Sequence, residues 1–307
     1  MRARRLVSLF DPRHVAQATL VAALWGYSAG VLYPARALGR SGLRVVGPPV
    51  GHEPVGLPRR GLGPRFSKGG GAPVLLDRPS EHRRLVEEFD EWADFYEPLV
   101  RPFSTPIFDE ALAVIARYLA PDSRVLDAGC GPGRELKRVA ELVPDGEVVG
   151  VDLAAGMVEA AYESARSFHN CAFFQADVGD LPARFRGAFD VVYSCLAHHH
   201  YPDPASAATG ILRCLRPGGL YCVIDPGPAW FNAISAPLGR LADPGWIGWQ
   251  TPEQFRALFT AAGFSRTSWV PLLPGLGLAL GQKAFGGPRR SGSGAACSEI
   301  ARSSARR

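Results

Sequence analysis

Five short apolar runs recur along the middle of the chain: RVLDAG (124–129), EVVGVDL (147–153), CAFFQAD (171–177), FDVVYSC (189–195) and GLYCVID (219–225). Runs this short and this apolar predict strands buried on both faces. Segments of helical character separate them, over Arg134–Leu142, Ala155–Phe168 and Ala205–Leu215. Strand and helix alternate, which predicts an α/β fold whose parallel sheet is covered by helices on both faces. Further on, Thr251 stands as an N-cap, Pro252 takes the first helical position, Gln254 completes a capping box and Gly263 stops the helix. Two more strand patterns, Thr267–Leu272 and Leu276–Gln282, flank Pro274 and Gly275 and predict a terminal antiparallel hairpin. The sheet then has seven strands.

Both ends of the chain break this pattern. Residues 14–35 contain no Asp, Glu, Lys or Arg, and as a helix at about 1.5 Å per residue they could nearly span a bilayer. Polar and glycine positions (Gln17, Thr19, Gly26, Ser28, Gly30) dilute the run, and arginines flank both sides. Three readings of residues 1–38 stay open: membrane contact, a packing helix, or a targeting segment headed by Arg2, Arg4 and Arg5. Residues 39–80 are rich in Gly, Pro and Arg and read as a linker, and residues 284–307 as a disordered basic tail. The folded domain is thereby expected over residues 81–283.

The net charge of +5 conceals an uneven distribution. Residues 1–80 hold twelve basic and three acidic side chains, whereas residues 81–282 hold 16 basic and 25 acidic, a net of −9. An acidic domain is a poor partner for phosphate backbones, so nucleic acid is not expected as its ligand. The six cysteines form no CxxC pair and mostly sit in apolar runs. They read as buried thiols of a reducing compartment, which implies a cytoplasmic protein with a candidate membrane contact through residues 1–40.

The stretch VLDAGCGPGRE (125–135) carries the chemistry. Gly129, Gly131 and Gly133 alternate just after Asp127, which permits a tight turn and leaves bare backbone for a ligand to lie against. In an open α/β sheet the ligand site lies beyond the carboxyl ends of the strands. Asp152, 19 residues after Gly133, ends the second strand, where an acid can accept hydrogen bonds from both hydroxyls of a ribose. A dinucleotide fingerprint needs GxGxxG, but Arg134 occupies the place of the last glycine. Asp127 would repel a pyrophosphate and attract an ammonium group. Asp177 ends the third strand and can accept from an adenine amino group. Adenine, a ribose diol, an ammonium and no phosphate describe S-adenosylmethionine.

The segments VLDAGCGPG, VGVDLAAGMV, QADVGDLP, FDVVYSCLAHHH and LRCLRPGGLYCVIDPG, in this order, resemble the class I S-adenosylmethionine-dependent methyltransferases over residues 81–283. EFDEWADFYEPL (88–99) further resembles a segment of the ubiquinone/menaquinone-type and related small-molecule enzymes, with Glu97 in place of an Asp. The resemblance implies a Rossmann-like doubly wound, mostly parallel seven-stranded sheet with an antiparallel C-terminal hairpin strand. It also implies roles. Gly129, Cys130, Gly131 and Gly133 form the loop along the methionine and ribose, and Asp127 with the Ser194 carbonyl region holds the ammonium. Asp152 takes the ribose diol, Leu153 and Met157 enclose the adenine, and Asp177 with the Val178 N–H reads its edge. Tyr96 belongs to a helix that closes over the cofactor; its other reading is core packing with Phe89, Trp92 and Phe95.

The methyl group of a sulfonium is already activated, so alignment and exclusion of water carry most of the catalysis. An acceptor that must lose a proton gains from a base of near-neutral pKa. His199 and His200, in the run His198–His200 after the fourth strand, are the candidates, and structural loop contacts are the alternative for each. Adjacent histidines diverge too much for a compact metal site, and no metal is expected. Trp230, Phe231, Trp246 and Trp249 make residues 226–250 an aromatic lid suited to a small, hydrophobic or aromatic acceptor. Two other functions are weighed beside methyl transfer: an NAD(P)-dependent oxidoreductase, and a non-catalytic cofactor-binding or membrane-tethered scaffold.

Overall fold

In the computed structural model of the chain, residues 66, 83–92, 96–242 and 245–286 are described. Two helices, α1 (Arg83–Trp92) and α2 (Tyr96–Ile115), precede β1 (Arg124–Ala128), α3 (Arg134–Leu142), β2 (Glu147–Asp152), α4 (Ala155–Ser164) and β3 (Cys171–Gln175). The second half runs β4 (Phe189–Cys195), α5 (Pro204–Cys214), β5 (Leu215–Pro226), α6 (Ala229–Ala242), α7 (Pro252–Ala262), β6 (Arg266–Leu273) and β7 (Leu276–Gln282). The strands order as β3-β2-β1-β4-β5-β7-β6, with β7 antiparallel to both of its neighbours and the other pairings parallel. The chain lays β2 and β3 on one side of β1 and then crosses to β4 on the other. The reversal therefore falls between β1 and β4, where Asp127 pairs in register with Tyr193.

All five residues of β1 are buried, as a central parallel strand requires. Ile107, Phe108 and Ile115 of α2 pack with Leu136 and Val139 of α3 on one side of the sheet. On the other, Ile211 of α5 and Phe255 and Phe259 of α7 pack against Val149, Val192 and Tyr221. α7 carries the expected capping box between Thr251 and Gln254 and ends at Gly263 in the left-handed conformation.

Several expected boundaries shift. The helix expected over Ala155–Phe168 ends at Ser164, and β5 begins at Leu215 rather than Gly219. Two helices were not anticipated in the pattern. Pro98, Pro102 and Pro106 interrupt the helical signal of α2, and Pro237 interrupts that of α6. Phe66, expected in a linker without core contacts, packs on a cluster of buried aromatics. Its ring lies 5.0 Å from that of Phe185, 5.8 Å from Phe189 and 6.3 Å from Phe174. The rest of residues 1–80, and the tail beyond Gly286, lie outside the described residues, as do the expected roles of residues 1–40. No described helix is long and apolar enough to cross a membrane.

Candidate functional site

The glycine turn is built by the register of the two central strands. Gly129 and Cys130 both donate their N–H to the Val151 carbonyl at 2.9 Å, and the Gly133 N–H closes back on the Cys130 carbonyl at 3.0 Å. All three glycines have positive φ. A Cβ at Gly129 would meet that of Ala197 at 2.6 Å, and one at Gly133 would meet Ala161 at 2.9 Å. At Gly131, by contrast, no atom lies within 4 Å of that position. Two glycines thus let elements approach, while Gly131 opens its backbone onto a cleft.

That cleft lies over the carboxyl ends of β1, β2 and β4, at the point where the strand order reverses. It is lined by Asp127, Gly129, Cys130, Gly131, Asp152, Leu153, Met157, Asp177, Val178 and His200, all expected from the sequence. Asp152 accepts from the Gly131 N–H on one oxygen (2.9 Å) and the Ala154 N–H on the other (3.0 Å). It thereby braces the turn it faces. Burial raises the Asp152 pKa, and these backbone donors pull it back. Asp177 accepts from the Gly179 N–H at 2.7 Å, capping a short turn at the cleft's far end. Asp127 is 1% exposed and accepts from the Tyr193 hydroxyl at 2.7 Å. Burial holds its carboxyl well above the usual range; the Tyr193 hydrogen bond opposes the rise and the Glu135 and Asp152 charges add to it.

Gly133 and the side chains of Ser194 and His199 are not part of the cleft wall, and the side chain of Tyr96 is not among those described. The Ser194 side chain is fully buried beside the Tyr201 hydroxyl, 2.9 Å away, while the next residue, Cys195, lines the cleft; the role expected of Ser194 was that of its carbonyl region. Alternation along β4 sends these two side chains to opposite sides. Tyr96 opens α2, but its side chain lies outside the described residues. The cover on that side is α1, through Leu85, Val86 and Phe89. His199 is not on the cleft wall: its Nδ1 lies 2.7 Å from Asp225 Oδ1, and its ring lies 4.1 Å from that of His200.

The three histidines therefore face three ways. His198 packs inward against Tyr201 and Phe255, and burial lowers its pKa to about 4. His199 meets Asp225 at the end of β5. His200 reaches the cleft, with the edge of Phe89 5.0 Å away. Among the described residues, no group of three or more His, Cys, Asp or Glu is placed to hold a metal.

Sequence reasoning missed other parts of the wall. Leu196, where β4 enters the cleft, holds φ of 51°, the only positive value at a described non-glycine residue. Such strain costs about 1–3 kcal/mol and concentrates at functional sites. Ser104 of α2 and Arg134 and Glu135 of α3 also line the cleft, with Arg134 bonded to both of the others. Arg134 and Glu135 lie inside the motif itself; the signal that would have placed Ser104 was hidden with α2 among its prolines.

Near the aromatic lid, polar atoms without hydrogen-bond partners gather. Asp225 Oδ2, Asn232 Oδ1, Gln250 Oε1 and the indole nitrogens of Trp246 and Trp249 are all buried and unpaired. The two indole rings lie 5.2 Å apart, and that of Trp249 lies 6.3 Å from His199.

Residues 125–219 match the family described as methyltransferase domain. Nocamycin O-methyltransferase of Saccharothrix syringae is 34% identical over 142 residues, covering 46% of this chain and 50% of that protein. Trans-aconitate 2-methyltransferase of Deinococcus radiodurans is 34% identical over 106 residues, covering 34% of this chain and 39% of that protein. The chain thus spans half or less of the length of these relatives. A crystal structure of a SAM-dependent methyltransferase from Aquifex aeolicus superposes with a TM-score of 0.50 at 17% identity, over 62% of this chain and 97% of that one, and shares the fold. A glycine turn over the reversal between β1 and β4 and acids at the ends of β1 and β2 accompany this match, and residues 125–219 are similar to a methyltransferase domain on a fold shared with that SAM-dependent enzyme.

Proposed function

We propose that the protein transfers the methyl group of S-adenosylmethionine to a small acceptor seated beneath the aromatic lid of residues 226–250. The observation that carries this reading is the continuity of the cofactor cleft with His200, whose neighbour His199 leads on to Asp225 and the lid. In the proposed cofactor pose, Asp127 meets the ammonium, the Gly131 backbone and Asp152 meet the ribose, and Leu153, Met157, Asp177 and Val178 meet the adenine. The aromatic rings favour an acceptor with an apolar or aromatic body. The names of the nocamycin and trans-aconitate enzymes fit a small-molecule acceptor.

The step balances simply. A lone pair on the acceptor forms the bond to the methyl carbon, the S–CH₃ bond breaks with its electrons on sulfur, and a neutral thioether leaves. An acceptor hydroxyl gives its proton to His200, with His199 held alongside by Asp225. Incubating the full chain with methyl-labelled cofactor and a metabolite extract should yield a labelled product of low molecular mass. His200→Gln should then lower turnover by roughly 10²–10⁴-fold and leave cofactor affinity nearly unchanged. Tight binding of NAD(H), with none of S-adenosylmethionine or its demethylated product, would reverse the reading.

A further inference from the structure

α6 shows two faces at the helical period. On one, Ser235 and Gly239 are buried, and the Phe231 ring lies 6.1 Å from that of Trp249. Ala229, Trp230, Ala233, Ile234, Pro237 and Arg240 are exposed and share the other. Trp230 is 57% exposed and Ile234 68%. Ile247 is 53% exposed, in a segment whose Trp246 and Trp249 rings approach Gly239 of α6. These three are the most exposed large apolar side chains among the described residues. Trp230, expected among the aromatics of the lid, thus faces outward.

Single apolar residues on a surface are ordinary, but a row of them along one helix face marks an interaction site. Three large side chains fall well short of a stable protein interface, to which each partner contributes about 20–30 residues. A bilayer surface asks for less: an exposed Trp with aliphatic neighbours on a surface helix, and no acid facing the lipid phosphates. α6 meets both conditions. Its only charged side chain is Arg240, and no acid occurs from Gly227 to Ala242, in a domain whose residues 81–282 carry a net charge of −9. In the same chain, residues 1–80 hold twelve basic side chains against three acidic ones, a balance that an anionic surface attracts. β5 ends at Pro226, on the cleft side of the sheet, and α6 starts at Ala229. A surface met by α6 therefore lies beside the lid.

We propose that the outward face of α6, carrying Trp230, Ile234 and Arg240 with Ile247 beside it, docks the protein on the surface of an anionic phospholipid bilayer. Trp230 and Ile234 enter the headgroup boundary, and Arg240 meets lipid phosphates. This goes beyond the methyl-transfer reading and does not depend on it.

Flotation of the full chain with vesicles tests it, using phosphatidylcholine alone and an equal mixture with phosphatidylglycerol. Wild type should float with the mixture and far less with phosphatidylcholine alone. Trp230→Ser/Ile234→Ser should lose about ten- to a hundredfold in affinity for the mixture, as for two half-exposed apolar side chains no longer buried. Both positions are exposed, so the melting temperature of this variant should stay near that of wild type. Trp230→Phe keeps an apolar body and should float as wild type does. Brominated phosphatidylcholine in the mixture should quench the fluorescence of wild type more than that of Trp230→Phe, because Trp230 reaches the lipid. Failure of wild type to float, equal flotation with both vesicle types, or full affinity in a folded double variant would overturn the proposal. The last result would assign the binding to another part of the chain. A wild-type dimer formed without vesicles, and absent in the double variant, would give the face to a second copy and overturn it too. Should the double variant not fold, equal quenching of wild type and Trp230→Phe would overturn the proposal, and a difference would support it.

Discussion

Asp127 illustrates how one buried carboxyl trades stability for binding. Its folded-state pKa is raised by burial, so the ionised form is penalised in the native protein relative to the unfolded chain. The stability it permits is fully present below the ordinary carboxylate pKa and is lost as pH rises through the raised folded value. Asp127→Asn should therefore raise the melting temperature of the ligand-free protein at pH 8, with little gain near pH 4. The same substitution should weaken S-adenosylhomocysteine by about 1.5–3 kcal/mol, because the ammonium loses a charged acceptor. In the wild type that affinity should climb with pH through the raised pKa, and in Asp127→Asn this dependence should vanish. Tyr193→Phe removes the bond that holds the carboxyl down and should move the midpoint to higher pH. Calorimetry across pH on the three proteins checks all of this. Asp127, Asp152 and Asp177 were legible in the sequence because each closes an apolar run, and a strand's carboxyl end fixes where its last acid points. Ser194 and Cys195 were not separable in that way. Which of two adjacent strand residues faces the cleft depends on the phase of β4 against its neighbours, and both residue types suit either side.

At the scale of elements, a hydrogen bond joins the cover of the cleft to α4. α4 has no side-chain cap of its own, because Ala154 stands at its N-cap. Asp90 of α1 supplies one from outside, accepting from the Gly156 N–H at 2.6 Å. This bond and the Phe89–His200 contact seat α1 across the site. Asp90 is exposed, so Asp90→Ala should cost little global stability yet free α1 at its docking point. A loss of about 0.5–2 kcal/mol, the usual range for an N-cap, is expected to appear mainly as a several-fold faster cofactor release, read by stopped-flow fluorescence. Unchanged release would show that α1 does not gate the cleft. The sequence pointed to a covering helix near residues 88–99, and the described helices α1 and α2 fall on either side of residues 93–95. It did not show the contact of Phe89 with His200. The helix–strand alternation of residues 124–226 was far more legible, since each buried strand must be apolar along its whole length. α6 was missed because its aromatic residues and internal Pro237 obscure the 3.6-residue period, leaving only the lid's composition to read.

For the whole molecule, one residue ahead of the expected domain makes a contact that sequence pattern did not place. The Gly-, Pro- and Arg-rich composition of residues 39–80 argues against a core of their own, yet one aromatic residue among them joins the core of the domain. Phe66 closes a ring of aromatics with Phe174, Phe185 and Phe189, and the Arg124 guanidinium lies 5.6 Å from its centroid. Arg124 opens β1, and Phe189 opens β4, so this contact sits at the amino ends of the central strands, on the opposite edge from the cofactor cleft. Its loss should therefore act on stability and spare the site. Phe66→Ala should lower the unfolding free energy by about 1.5–3 kcal/mol, the worth of burying one such side chain, with S-adenosylhomocysteine affinity unchanged. A chain starting at residue 81 should show the same deficit against one starting at residue 60. Adding Phe66→Ala to the longer chain should remove the difference. Denaturant titration of the five proteins, wild type included, distinguishes the cases: equal stability of the chains starting at 60 and 81 would mean that Phe66 only rests on the surface. A deficit that survives Phe66→Ala would instead place the stabilising contact elsewhere between residues 60 and 80.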